Sequence, residues 1–291
     1  MIYEGDIFRP PSEASSLILQ ITIGCRHNQC TFCSMYKGKT FRVRPKGEIK
    51  HIIAMGAQEY PHTKRIFLAD GDALACDTEL LSEVLKDLYN SFPRLERVGV
   101  YGGPKDILEK SSDELIHLKE QGLGIIYLGV ESGSAQILKD VNKGVTPEEM
   151  IAAGQKAMAS GIKLSCTIII GLGGKELMTE HAKETARVMN AIDPHYLGAL
   201  TLMLAPGAPL AKKASSGDFT MLNTWETLEE LYLMIQNFQL SDCVFRSNHA
   251  SNYLPLRAHF PDEKETLLRT LKEVIENQRQ DVLRPEFYRG L

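Results

Sequence analysis

Short apolar runs rich in β-branched residues recur along the chain, and most are followed by a stretch with helical spacing. The runs are LILQITI (Leu17 to Ile23), RIFLA (Arg65 to Ala69), RVGVY (Arg97 to Tyr101), GIIYLGV (Gly124 to Val130), LSCTIII (Leu164 to Ile170) and YLGALTLML (Tyr196 to Leu204). They are near-continuously apolar rather than alternating, which predicts parallel strands buried on both faces. In TELLSEVLKDLYNSF, Leu80, Leu81, Val84, Leu85 and Leu88 form a helical stripe, with Thr78 as the expected N-cap. TPEEMIAAGQKAMASG places Thr146 as cap, Pro147 at the first helical position and Gly161 at the end. KELMTEHAKETARVMNAI repeats the pattern.

After the first crossover the strand starts are spaced by roughly 27 to 39 residues, the size of a βα unit. Six such units predict an α/β fold, a partial (β/α)6 TIM-like barrel. After Pro206 the rhythm changes. TWETLEELYLMIQNFQL and DEKETLLRTLKEVIENQRQDVL read as helices flanking an irregular stretch, SDCVFRSNHASNYLPLRAHFP. The expected division is an N-terminal extension over 1–16, the barrel over 17–210, and a C-terminal helical and irregular extension over 211–291 that closes the barrel.

Composition changes this picture little. With 43% hydrophobic and 24% charged residues over 291 positions, the chain is ordinary for a soluble globular protein. A net charge of −4 supplies no basic excess to neutralise phosphates, so nucleic acid is an unlikely partner on charge alone. The N-terminus lacks a signal pattern and no apolar run is long enough to span a bilayer, so a cytoplasmic location without membrane attachment is expected. There thiols stay reduced, and clustered cysteines read as metal ligands or catalytic groups rather than disulfides.

Half of the six cysteines lie in one loop, GCRHNQCTFC, as Cys25, Cys30 and Cys33. Cys25 follows the first strand, at the end where parallel βα folds build active sites. A structural zinc site wants four protein ligands, and only His27 in the same short loop offers a fourth. Three incidental core cysteines fit poorly with the polar Arg26, His27, Asn28 and Gln29 between them. Iron–sulfur chemistry explains the count better. A [4Fe–4S] cluster takes four ligands, and three from the protein leave one iron open.

On these residues the chain resembles the radical S-adenosylmethionine (SAM) superfamily. The first gap of Cys25-x4-Cys30-x2-Cys33 is one residue longer than the usual pattern, and the extra residue is expected to bulge outward. The resemblance implies a [4Fe–4S] cluster on the three cysteines and S-adenosylmethionine on the open iron. It implies an enzyme that cleaves S-adenosylmethionine to a 5′-deoxyadenosyl radical, with Phe32 meeting the adenine.

The resemblance extends downstream. Asp70, Gly71 and Asp72 in LADGDAL occupy the turn that receives the methionine ammonium. GVESGSAQILKDVNKG resembles a segment shared by oxygen-independent coproporphyrinogen oxidases and methylthiotransferases. It implies that Glu131 accepts from the ribose hydroxyls and that Lys143 pairs the methionine carboxylate, where relatives commonly carry arginine. In TIIIGLGGKE, Ile170, Gly171 and Leu172 are implied at the adenine, with Gly173 replacing a family proline. LAPGAPL (Leu204 to Leu210) resembles the closing turn.

The substrate is less defined. No extra module beyond the core is recognisable, and Cys76, Cys166 and Cys243 are scattered. A small-molecule substrate is expected, with an electron donor of the flavodoxin or ferredoxin type implied by the resemblance. The basic run KGKTFRVRPK (Lys37 to Lys46) reads as a solvated loop or a contact for an acidic substrate. In FRSNHASNY, the convergent polar residues Arg246, His249 and Tyr253 are the catalytic candidates. The alternative from a different class is a haem-binding carrier, with His249 or Cys243 as axial ligand. A structural zinc protein is the third reading.

Overall fold

The computed structural model describes residues 3–290. The chain forms two compact units: one holds the residues up to 28, 35–128 and 156–164, the other 29–34, 129–155 and those from 165 on.

In the first unit, LILQITI divides into β1 (Leu17–Gln20) and β2 (Thr22–Ile23), which pairs antiparallel with β3 (Arg42–Val43). Helix α1 (Lys46–Glu59) leads to β4 (Arg65–Ala69), α2 (Thr78–Ser91) to β5 (Arg97–Tyr101), and α3 (Pro104–Glu109) with α4 (Ser112–Glu120) to β6 (Leu123–Glu131). Strands β1, β4, β5 and β6 pair in parallel in that order. Their buried faces are dictated by Ile66, Phe67, Leu68, Val98 and Val100, all at 0% exposure. Burying a side chain of this size stabilises by about 1.5–3 kcal/mol. The stripe of α2 buries Leu81, Val84, Leu85 and Leu88 as expected. Thr78 begins this helix instead of capping it; Asp77 precedes it without a side-chain cap, and the Thr78 hydroxyl donates to Glu114.

The N-terminal segment puts one charge inside this unit. Glu13, fully buried, accepts from the Tyr127 hydroxyl, the Ser16 hydroxyl and Arg97. A buried carboxylate persists only when so paired.

Helices α5 (Ala135–Asp140) and α6 (Pro147–Ala159) follow in the chain, the latter entered through a capping box. The Thr146 hydroxyl accepts from Glu149 N–H, and the Glu149 carboxylate accepts from Thr146 N–H. The second unit continues with β7 (Lys163–Ile170), α7 (Met178–Ile192), β8 (Tyr196–Thr201), α8 (Pro209–Ser216) and α9 (Thr224–Asn237).

The stretch read as irregular then folds into two strands, β9 (Cys243–Ser247) and β10 (Leu256–Phe260), before α10 (Lys264–Glu276). β9 pairs parallel with β8 and antiparallel with β10. The C-terminal extension is therefore mixed α/β rather than helical. Cys243, Phe245 and Ser247 face inward while Val244 and Arg246 face outward, a period-two pattern that five residues carry too briefly to stand out. Phe245 packs on Phe260, and Phe260 on Phe238. Among the described residues no helix is long and apolar enough to cross a membrane.

Candidate functional site

In the first unit the loop that carries Cys25 is zipped to the turn after β4. Gly24 has a φ of +77° and its N–H donates to Asp70 Oδ2 at 3.1 Å. The Gly71 N–H returns a bond to the Gly24 carbonyl at 3.1 Å. A Cβ on Gly71 would stand 2.9 Å from Cys25 Cβ and 2.9 Å from a ring carbon of Tyr36. Glycine is therefore required for this approach. The longer first gap of the cysteine loop is absorbed at Asn28, in the left-handed region with φ +43°. Its N–H donates to Cys25 Sγ at 3.4 Å, and its amide donates to the carbonyls of Tyr36 and Lys39. Asn28 is thus turned in and bonded, while Arg26 and Gln29 are exposed.

The acidic turn supports this loop. Asp70 is fully buried, and its Oδ2 accepts from Gly24 N–H, the Gln20 amide and Lys39 Nζ at 2.9 Å. Among the described residues its other oxygen, Oδ1, makes no hydrogen bond. Asp72 Oδ2 accepts from the Arg26 N–H at 2.5 Å. Arg26 itself pairs with Asp106 and Glu109. Burial, reinforced by the Asp70 charge, pushes the Tyr36 hydroxyl pKa up. The basic run Lys37–Lys46 is consumed internally. Lys39 holds Asp70, Arg42 and Arg44 hold Glu4, and Lys46 holds Glu83.

In the second unit the segment carrying Cys30 and Cys33 is tethered at its centre. Thr31 N–H donates to Val141 O, and Leu210 N–H donates to Thr31 O, both at 2.9 Å. Phe32 packs against a cluster of Ile137, Val141, Leu172, Leu202 and Leu210. Two residues implied at the adenine, Phe32 and Leu172, therefore share one apolar wall. Ile170 lies buried at the end of β7.

Glu131 and Lys143 also meet. Their Oε1–Nζ distance is 3.1 Å, with both side chains largely shielded. Glu131 adopts φ +65° at the end of β6, and a side chain at Gly129 would collide with its carboxylate. Gly171, with φ +83°, donates its N–H to Glu230 Oε2 at 2.5 Å. The same carboxylate takes His181 Nδ1 at 3.0 Å, and His181 Nε2 lies 3.4 Å from the Glu131 carbonyl. His181 and Glu230 are both fully buried. One His–Glu pair thus joins the loops after β6 and β7.

None of the six cysteines forms a disulfide; Cys25, Cys30 and Cys33 are half-buried and Cys76, Cys166 and Cys243 buried. Burial, then the Asp72 charge, pushes the Cys25 thiol up to about 12. Burial likewise pushes Cys76 and Cys243 up to about 12. Among the described residues no group of three or more His, Cys, Asp or Glu side chains is arranged as metal ligands. All three thiols of the loop stand outside disulfides, and Cys25 receives an N–H···S bond and is pressed against a glycine that leaves no room for a side chain.

The three catalytic candidates have different surroundings. Arg246 lies on the exposed face of β9. His249 Nδ1 is bonded to the Ser251 hydroxyl at 2.9 Å, and burial, with Arg284 nearby, lowers its pKa from 6.5. The Tyr253 ring carries the Arg289 guanidinium at 3.9 Å. Ser251 and Asn252 dock on the end of β8, bonding Thr201 and the Ala199 carbonyl. Arg284 and Arg289 pin this segment through the carbonyls of His249, Ala250, Ser251 and Asn252.

Sequence reasoning did not single out Glu230, His181, Arg284 or Arg289. Glu230 and His181 carry a faint signal, since each sits among apolar neighbours in a helical stripe. The two arginines stand in an unpatterned tail and carry none.

Residues 19–188 match the family profile described as Radical SAM superfamily. A tRNA-2-methylthio-N(6)-dimethylallyladenosine synthase of Oceanobacillus iheyensis is 29% identical over 227 residues, covering 72% of this chain and 42% of that protein. The same-named protein of Chlorobium phaeobacteroides is 28% identical over 207 residues, covering 68% and 44%. The chain thus spans less than half the length of these relatives. Among solved structures, coproporphyrinogen III oxidase of Escherichia coli superposes with a TM-score of 0.58 at 18% identity, over 76% of this chain and 51% of that one. Methylornithine synthase superposes with a TM-score of 0.53 at 17% identity, over 77% and 63%. At these identities the likeness is one of fold, and it is the expected α/β fold.

Proposed function

Because the chain belongs to the radical SAM superfamily, whose enzymes use a [4Fe–4S] cluster and S-adenosylmethionine, we propose that Cys25, Cys30 and Cys33 bind such a cluster. When bound and reduced, the cluster supplies the electron that cleaves S-adenosylmethionine to methionine and a 5′-deoxyadenosyl radical, which abstracts hydrogen from the substrate. The chain's own residues bind, orient and shield.

The observation that carries this reading is the Cys25 setting. Its sulfur receives the Asn28 N–H, and its Cβ abuts Gly71. Asp70 Oδ1 and Asp72 in the same turn supply negative charge for an ammonium group. Lys143 supplies the cation for a carboxylate and Glu131 the acceptor for ribose hydroxyls. In our reading the ligand replaces the Lys143–Glu131 pair with its own contacts. Phe32 and Leu172 offer the apolar wall for adenine, next to Ile170. Gly171 holds the turn beside this wall, its N–H bonded to Glu230 and its carbonyl accepting from Gly174 N–H.

We read 17–210 as the cofactor-binding core and 211–291 as its extension, in a cytoplasmic enzyme. The electron donor is of the flavodoxin or ferredoxin type. The substrate is a small molecule. The curated relatives are named for tRNA modification, but a net charge of −4 and the internal pairing of Lys39, Arg42, Arg44 and Lys46 support the smaller partner.

Anaerobic reconstitution with iron and sulfide tests the reading. About four irons per chain are expected. A reduced-cluster electron paramagnetic resonance signal should shift when S-adenosylmethionine is added. A colourless protein holding one zinc per chain would contradict it.

A further inference from the structure

The sheet of the second unit has two faces. One, carrying Ile168, Ala199, Phe245 and Phe260, is buried. On the other, register aligns four residues in one row across the strands. Thr167 of β7 is paired with Gly198 of β8, Gly198 with Arg246 of β9, and Arg246 with Arg257 of β10. Both arginines are exposed. Like charges directly opposite on neighbouring strands repel and destabilise the pairing. Neither is relieved: among the described residues neither guanidinium makes an ion pair or hydrogen bond.

The middle of the row is a gap. A Cβ on Gly198 would have no neighbour closer than 3.8 Å, and Thr167 Oγ1 lies 4.0 Å from that position. The Thr167 hydroxyl has no hydrogen-bond partner among the described residues either. An unbonded hydroxyl and two unpaired guanidiniums therefore border one side-chain-free step of the sheet. At about 4.8 Å per strand, Arg246 stands beside the gap and Arg257 roughly 10 Å from it, a span that extended arginine side chains can bridge to one small anion. Guanidinium forks match the geometry of carboxylate and phosphate oxygens.

We propose that Thr167, Gly198, Arg246 and Arg257 form a binding site for the oxyanion end of the substrate, a phosphate or a carboxylate. This gives Arg246 a binding role and adds Arg257, and it specifies the class of small molecule in the reading above, on which it rests. The anion neutralises the cross-strand repulsion, so binding and sheet stability reinforce one another. Its chemistry separates it from the cofactor residues Lys143 and Glu131, which already pair with each other.

The test is calorimetric titration of the reconstituted full-length chain with inorganic phosphate and with succinate, at about 0.15 M salt to screen non-specific attraction. Saturable binding of at least one probe is expected. Arg246→Gln and Arg257→Gln should each weaken it by about tenfold or more. Gly198→Val should do the same without removing a charge. Valine suits a strand and its Cβ would meet only ordinary contacts of 3.8 Å or more, and the melting temperature of the variant checks that the fold is intact. Absence of saturable binding by both probes would overturn the proposal. So would equal affinity in the three variants, or binding of a short RNA with neither small anion. Formation of 5′-deoxyadenosine from S-adenosylmethionine without substrate, measured on the same preparation, reports separately on the radical reading.

Discussion

Gly71 and Cys25 are pressed backbone to side chain: a methyl group on the glycine would lie 2.9 Å from the cysteine Cβ and 3.1 Å from its Cα. The turn after β4 thereby fixes where the first thiol of the cysteine loop stands. Gly71→Ala must push Cys25 or Tyr36 aside. Iron and sulfide content after reconstitution should fall to half or less of wild type, while the circular dichroism spectrum stays the same. Full cluster content in this variant would show that the contact does not position the thiol.

Lys143 and Glu131 form the second pair that matters. If Lys143 takes the carboxylate of S-adenosylmethionine, Lys143→Ala should weaken its binding by roughly 10- to 100-fold, the value of a charge-assisted hydrogen bond. Lys143→Arg should retain most of the affinity. Equilibrium dialysis of the reconstituted protein measures both, and unchanged affinity in Lys143→Ala would remove the residue from the cofactor site.

The buried His181–Glu230 pair ties Gly171 to the Glu131 carbonyl. Glu230→Gln leaves the Gly171 N–H and the imidazole with a weaker, neutral acceptor. A loss of about 1–3 kcal/mol is expected, a fall in melting temperature of roughly 3–10 °C. Because the pair spans two cofactor loops, affinity for S-adenosylmethionine should fall as well. A stable variant with unchanged affinity would show that the network is dispensable.

β4 and β5 were legible because RIFLA and RVGVY are apolar on both faces, and both strands form at the expected bounds. β9 and β10 escaped notice because each exposes one face, so Arg246, Arg257 and His259 broke the apolar signal. The cysteine loop and the glycines at 71 and 171 stood out because few other residues fit those roles. The extra residue of the loop was expected to bulge outward. In the structure Arg26 and Gln29 are exposed, while Asn28 adopts the left-handed region and bonds the carbonyls of Tyr36 and Lys39, eight and eleven positions on, an arrangement set by where the chain returns and not by the local pattern. Glu230 was hidden for the same reason: its partners, Gly171 and His181, lie 59 and 49 positions away.

His249 gives a pH test of the C-terminal segment. Burial, with Arg284 nearby, lowers its pKa below the ordinary 6.5. Below that ordinary value the unfolded chain binds a proton that the folded chain resists until its own lower value is reached. Stability is therefore full above about pH 6.5 and falls as pH drops through this window. Melting temperatures from pH 7.5 to 5.5 should decline more steeply for wild type than for His249→Asn. Parallel slopes would show that His249 does not titrate against the fold.

The central claim is that three cysteines hold a redox-active cluster that opens S-adenosylmethionine. The most direct measurement is chromatographic detection of 5′-deoxyadenosine after the reconstituted protein is incubated anaerobically with S-adenosylmethionine and dithionite. The account predicts slow formation by wild type even without substrate, and none by a chain in which Cys25, Cys30 and Cys33 are alanine. Absence of the product from wild type holding a full complement of iron and sulfide, or equal amounts from both proteins, would contradict it.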